Sequence, residues 1–332
     1  MTAAPPEPVP APADEAAPAP ESEPASPTVD AHVNLASDLA VPARFIDEQA
    51  RNVHARLTGS GAPAAYETIR GRVAGLYQDH DADRLVAEMD GAGVDRTMLV
   101  IPDFSHVAEC ALDRPALAAL HDKVRRRHPG RFGVYWGVDP RAGEEGPALL
   151  EHCVDAYGFE AVKLYPLAGY SPSDRRLYPY YEICAARGLP VLTHTGPAYQ
   201  SLDYSYGSPL LVDHAARDFP GVNFVLGHGG VRNVEEAAYL CRHRPNVYLD
   251  IAGYAGALDP QGSSHHLASL FRRGVNHKIL FGTDWSAHRL THTLGGLISA
   301  FRDSAGVLAG VKPAHRRLIM GGTALALTGG SR

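Results

Sequence analysis

The stretch FEAVKLYPLAGYSPSDRRLYPYYEICAARGLPVLTHTG, residues 159–196, holds one complete strand–helix–strand unit. Ala161–Tyr165 and Pro190–His194 are short β-favouring runs, each ending on polar or aromatic side chains. Between them Leu177–Ala186 carries apolar residues at helical spacing, and Arg187-Gly188-Leu189-Pro190 supplies a glycine to end the helix before the next strand. So short a link predicts a right-handed parallel crossover. The same alternation continues outward in both directions. Further strands are predicted at Thr28–Asn34, Val94–Ile101, Phe132–Val138, Val222–His228, Val247–Ile251 and Lys278–Asp284. Helical patterns lie between them at Ala82–Met89, Pro115–Arg127, Pro147–Ala156, Leu210–Phe219, Val234–Arg242 and His266–Arg273. Eight units predict the α/β class and a distorted (β/α)8 TIM barrel, although an open doubly wound sheet would use the same alternation. No G-x-G-x-x-G follows the first strand, which weakens a dinucleotide-binding reading.

Two segments exceed this plan. Residues 35–79 form a largely helical insertion after the first strand, and Thr195–Ser208 is an irregular Tyr- and Gly-rich loop after the fifth. Both leave the C-terminal end of a strand, the rim where barrel enzymes build their sites. Residues 1–27 are almost entirely Ala, Pro, Glu and Ser and are expected to be a disordered tail, leaving 28–332 as the folded barrel.

The 332-residue chain is 45% hydrophobic and 20% charged, with a net charge of −6, so it lacks the basic excess of a nucleic-acid binder. No apolar run is long enough for a membrane span, and the N-terminus lacks the pattern of a secretory signal. Cys110, Cys153, Cys184 and Cys241 form no C-x-x-C pair, which fits a reducing compartment and a cytoplasmic location. A small-molecule substrate is the expected partner, nucleic acid and membrane are not, and a homodimer is left open.

Polar residues with metal-binding chemistry end several of the apolar strands. They are His32 and Asn34 in Asp30-Ala-His32-Val-Asn34, Lys163, His194, His228 and Asp284. Side chains alternate along a strand, so His32 and Asn34 share a side. A polar group ending an apolar strand must be hydrogen-bonded, ligate something or bear a desolvation cost. Imidazole and carboxylate are ligands that zinc, manganese or iron accept at an open catalytic site.

These motifs resemble the amidohydrolase superfamily, in its amidohydrolase-related (amidohydrolase 2) branch that includes aminocarboxymuconate-semialdehyde decarboxylase-like proteins. The resemblance rests on VDAHVN (29–34), GVDRTMLV (93–100), residues 159–196, FPGVNFVLGHGG (219–230), NVYLDIAG (246–253) and ILFGTDW (279–285). It extends to LIMGGTALAL (318–327), where Thr323 stands in place of a usual asparagine. It implies one divalent metal, zinc by expectation with manganese or iron as alternatives, held by His32, His194 and Asp284, with His228 and Asp284 as the catalytic pair. Asn34 stands where that pattern has a second histidine. An amide oxygen is a weak zinc donor, so Asn34 is read as a weak ligand or substrate contact, and a metal-free site stays open.

Lys163 is read as an interior lysine paired with an acid or a substrate carboxylate rather than as a carboxylated, metal-bridging one. Tyr165, Tyr199, Tyr204 and Tyr254 are expected to form a pocket for a small aromatic or unsaturated molecule, with Arg289 near a substrate carboxylate. The favoured activity is hydrolysis of an amide, lactone or related carbonyl bond, because water activation needs no dedicated carboxylate clamp and no Arg-rich loop stands out. Non-oxidative decarboxylation of a small carboxylated substrate is the alternative, and a non-catalytic binding barrel is a second.

Overall fold

Alternation of apolar faces produces a ring of eight parallel strands. The computed structural model describes residues 26–258, 264–303 and 305–329. The strands are β1 (Val29–Val33), β2 (Arg96–Ile101), β3 (Phe132–Val138), β4 (Ala161–Leu164), β5 (Val191–His194), β6 (Phe224–Gly227), β7 (Val247–Asp250) and β8 (Ile279–Leu280), hydrogen-bonded in sequence order. The ring closes through a parallel bridge between Val33 and Trp285 and backbone bonds from Ala31 N to Phe281 O (2.9 Å) and Asn34 N to Trp285 O (2.7 Å). This is the expected (β/α)8 barrel, and closure removes the open-sheet alternative. The tail expected over 1–27 lies, up to residue 25, outside the described residues. No helix among the described residues is long and apolar enough to cross a membrane.

The insertion after β1 contains helices α1 (Ala43–Gly59) and α2 (Tyr66–Ala74). Crossovers between successive strands follow as α3 (Asp83–Ala92), α4 (Arg114–Arg127), α5 (Glu145–Tyr157), α6 (Tyr178–Arg187), α7 (Asp213–Asp218), α8 (Val234–His243) and α9 (His265–Leu270). Gly93 and Gly188 end α3 and α6 with φ of 66° and 68°, a conformation that costs a side-chain-bearing residue but not glycine. Asp113 caps α4 by accepting from Ala116 N at 2.8 Å.

Period-two alternation splits each strand between two apolar layers. Leu99, Val134, Trp136, Val162, Leu226 and Leu249 face the helices, whereas Ala31, Met98, Val100, Tyr135, Leu192 and Val225 fill the barrel. The eighth strand is shorter than the Lys278–Asp284 expected from its apolar run. The register of β1 shifts between Asp30 and Val33, and Asp284 has φ of 60°, so regular pairing stops after Leu280. Asp30 holds the irregular segment instead, accepting from Thr283 N (2.9 Å) and Thr283 Oγ1 (2.5 Å). Burial raises the Asp30 carboxyl to about 7 against the opposing effect of these bonds.

Candidate active site

The ends of β1, β4, β5, β6, β7 and β8 bring polar side chains to the same rim. His32 on β1 is 2% exposed, and its Nδ1 donates to Asp250 Oδ2 at 2.7 Å. Asp250 ends β7 and is wholly buried, and its Oδ1 also accepts from the backbone N–H groups of His228 (2.6 Å) and Ala252 (3.0 Å). Burial works to raise its carboxyl, but the pull of His32 and His228 prevails and holds it at about 2. A buried carboxylate thereby fixes both the tautomer of one imidazole and the backbone of another.

His228 follows β6 with φ of 64°, and its Nδ1 donates to Ala252 O at 2.9 Å. A carbonyl only accepts, so this proton sits on Nδ1 and the Nε2 lone pair is free. His32 likewise carries a proton on Nδ1, which faces the Asp250 carboxylate. Burial and the neighbouring His32 lower the His228 pKa to about 4, so the ring is neutral at pH 7. The rings of His32 and His228 lie 4.7 Å apart, and donor atoms of His32, His228 and Asp284 all fall within 4.8 Å of one another. Asp284 is positioned from β1 on both sides of its peptide, because its N–H donates to His32 O (2.9 Å) and its Oδ1 accepts from Asn34 Nδ2 (3.0 Å).

Asn34 therefore orients the aspartate from the place where the related pattern has a histidine. His194 lies beside the group, its ring 4.6 Å from that of His228 and 4.4 Å from that of Tyr165. Its Nε2 donates to Pro197 O at 3.0 Å, tying it to the loop after β5. Burial and the neighbouring His228 hold it well below the usual histidine range. Gly196 lets this loop pass over the group: a Cβ there would lie 2.5 Å from His228 Cδ2.

These residues line a cavity of about 240 Å³. Val100, Ile101, Phe104, Tyr165 and Tyr199 supply apolar wall, and Gln49, Asn52 and Tyr77 reach it from the insertion. The insertion and the β5 loop are joined across the mouth, where Phe45 stacks on Tyr199 at 4.2 Å and Ser201 N donates to Glu48 Oε2 at 3.2 Å. Lys163 also lines the cavity. It is 1% exposed, and its Nζ has no hydrogen-bond partner among the described residues. Burial lowers its pKa to about 8, with Asp250 and Asp284 pulling the other way. No acid among the described residues lies within ion-pair distance of it.

The other sequence candidates divide. Tyr165 and Tyr199 line the cavity. Tyr204 is 54% exposed and braces the β5 loop through a bond from its hydroxyl to Ala198 O (2.6 Å). Tyr254 is packed against Phe281 and Phe301, with its hydroxyl donating to Leu297 O (2.9 Å). Arg289 is held by Glu88 at 2.8 Å and lies 3.7 Å from Asp79. Asp250 was not among the candidates, although VYLD ends an apolar strand on a carboxylate as ILFGTD does. Gln49, Asn52 and Tyr77 carried no comparable signal, since their strand-distant positions gain meaning only when the insertion folds over the rim.

The donor set fits a divalent cation. Two imidazoles have their Nδ1 protons held by a carboxylate and a carbonyl, which leaves Nε2 of each as the nitrogen for a metal, and a carboxylate completes the group.

Among solved structures, the chain is similar to the uncharacterized TIM-barrel protein Bb4693 from Bordetella bronchiseptica, at 22% identity over 91% of this chain and 98% of that one, with a TM-score of 0.65. It is similar to 4-oxalomesaconate hydratase from Rhodopseudomonas palustris, at 19% identity over 91% and 96% of the two chains, TM-score 0.59. It is also similar to a dihydroxybenzoic acid decarboxylase from Polaromonas sp. JS666 with bound manganese and the inhibitor 2-nitroresorcinol, at 18% identity over 91% and 98%, TM-score 0.57. At these identities the likeness carries the fold alone. No curated protein matches the chain. The amidohydrolase family model matches residues 29–329, from the first strand to the last helix, and the chain therefore belongs to the amidohydrolase family.

Proposed function

We propose that the protein is a metal-dependent carboxy-lyase that removes carbon dioxide from a small carboxylated, aromatic or unsaturated molecule. One observation carries this reading: the cavity that holds the His32–His228–Asp284 group also holds the buried, unpartnered ammonium of Lys163. An ammonium out of water needs a counter-charge, which a substrate carboxylate supplies and a neutral amide or lactone does not. Lys163 thus offers the carboxylate contact that no Arg-rich loop provides. Decarboxylases and a hydratase among the similar structures support the reading, as does manganese in three of the decarboxylase structures.

In this proposal His32 Nε2, His228 Nε2 and Asp284 hold the ion, manganese or zinc. When bound, the ion supplies positive charge that orients the substrate and stabilises electrons released on it. The C–C bond to the departing carboxylate breaks, its electron pair stays on the substrate carbon, and that carbon takes a proton. Asp284 is the group that relays this proton, taken up from solvent before the substrate fills the cavity, with Asn34 fixing one of its oxygens. The apolar wall and the joined loops exclude water, which favours loss of a charged carboxylate as neutral carbon dioxide.

The test is incubation of manganese- or zinc-loaded protein with aromatic and unsaturated acids, and separately with neutral lactones and amides, followed by mass spectrometry and carbon dioxide detection. Release of carbon dioxide from an acid, abolished in Asp284→Asn, is the expected result. Hydrolysis of a lactone or amide without carbon dioxide release from any acid would overturn it.

A further inference from the structure

A second cavity, of about 300 Å³, adjoins the first on the other side of Phe104. Ala40, Pro102 and Phe104 line both, and Phe104 has the largest side chain of the three. Past that ring the second cavity is mostly apolar, with Leu39, Pro42, Ala108 and Leu112 around it. Without the ring the two spaces would join.

Phe104 is fixed both at its ring and at its backbone. It is 4% exposed, and it meets Phe45, Tyr165 and Tyr199 edge to face at centroid separations of 4.8, 5.1 and 6.1 Å. Its carbonyl accepts from Val107 N and Ala108 N, each at 3.0 Å. The buried Asp103 before it accepts from Ser105 N (3.0 Å) and Ser105 Oγ (2.7 Å), and its other oxygen lies 3.2 Å from Arg114 Nε. This turn packs directly on β3 at Gly137, where a Cβ would lie 2.6 Å from Asp103 N. Swinging the ring into the second cavity would give up three aromatic contacts at once, so Phe104 is a wall and not a gate.

We infer that Phe104 sets the size limit of the substrate, confining it to one ring or a chain of similar length and shutting it out of the second cavity. This deepens the carboxy-lyase reading and rests on it only for the acid group that the molecule carries. Seating a longer molecule means displacing a packed side chain, and that overpacking cost falls on binding. The second cavity joins the site only when the ring is removed.

Calorimetric titration of the manganese-loaded full chain with benzoate, meta-phenylbenzoate and para-phenylbenzoate, and with the three matching benzamides, tests this. The wild type should bind both two-ring acids at least about tenfold more weakly than benzoate. In Phe104→Ala the ratio of two-ring to one-ring affinity should rise at least about tenfold for one isomer or both, with a cooperative melt confirming the fold. Phe104→Leu, a smaller deletion, should move the ratio the same way. A wild type that binds either two-ring acid as tightly as benzoate would overturn the inference, and so would an unchanged ratio in the variants that fold. If the amides bind as tightly as the acids, the carboxylate leaves the lyase reading and the size ratio among the amides decides on Phe104. Failure of the wild type to bind a one-ring member of either series overturns both.

Discussion

Replacing Asp250 by asparagine should damage metal binding through the tautomer of a histidine it does not resemble in sequence position. The carboxylate accepts three N–H groups, two on Oδ1 from His228 N and Ala252 N and one on Oδ2 from His32 Nδ1. An asparagine has one acceptor oxygen. If that oxygen keeps the two backbone bonds, its NH2 faces His32 Nδ1, and the ring must move its proton to Nε2 and lose the free lone pair there. Loss of such an outer partner lowers metal affinity by about 10- to 100-fold. The stability cost follows from the carboxyl's shift from 3.8 to about 2, which is on the order of 2 to 3 kcal/mol at pH 7. Because the folded-state pKa is depressed, this contribution is complete above about 4 and is lost as pH falls through about 2. Titration of manganese into the wild type and Asp250→Asn, with urea unfolding at pH 7, measures both effects. An Asp250→Asn protein that binds manganese within about twofold of the wild type would refute the reasoning.

Lys163→Met should raise stability at pH 7 by up to the order of 3 kcal/mol, because burial has lowered the amine from 10.5 to about 8. Wild-type stability should accordingly rise as pH climbs from about 8 towards 10.5, where the unfolded chain holds the proton more tightly, and this slope should vanish from urea midpoints of the variant. Asn34→His places an imidazole beside Asp284 in exchange for one hydrogen bond. Divalent affinity measured by chelator competition should rise about tenfold or more, and no change would mean that position 34 does not reach the ion. Gly196→Ala puts a Cβ 2.5 Å from His228 Cδ2, so the ring or the β5 loop must shift. Metal affinity should fall at a stability cost of about 1 to 3 kcal/mol by calorimetry, and an unaltered affinity would show that the loop yields instead.

The barrel was legible because its signals are local. Apolar runs such as Val191–His194, glycine stops such as Gly188 and helices such as Tyr178–Arg187 each report on a few consecutive residues, and eight repeats of that pattern leave few topologies. The strand ends were legible for the same reason, and His32, His194, His228, Lys163 and Asp284 all reach one rim. Asp250 carried the same signal and was passed over, since a carboxylate ending VYLD reads equally as a turn residue. Tyr254 and Arg289 lie on the loops that follow strands, as Tyr165 does, yet packing directs them to Leu297 and Glu88.

Sequence by itself determined the α/β class, the eight units, the rim where polar strand ends gather and the family. Closure of the ring decided the rest. It brought Asp250 against His32 across 218 residues and Asn34 against Asp284 across 250, fixed which imidazole nitrogens hold their protons against the protein, and left Lys163 Nζ inside the cavity without a hydrogen-bond partner among the described residues. Secondary structure depends on neighbours along the chain, whereas hydrogen-bond partners, tautomers and desolvation depend on neighbours in space.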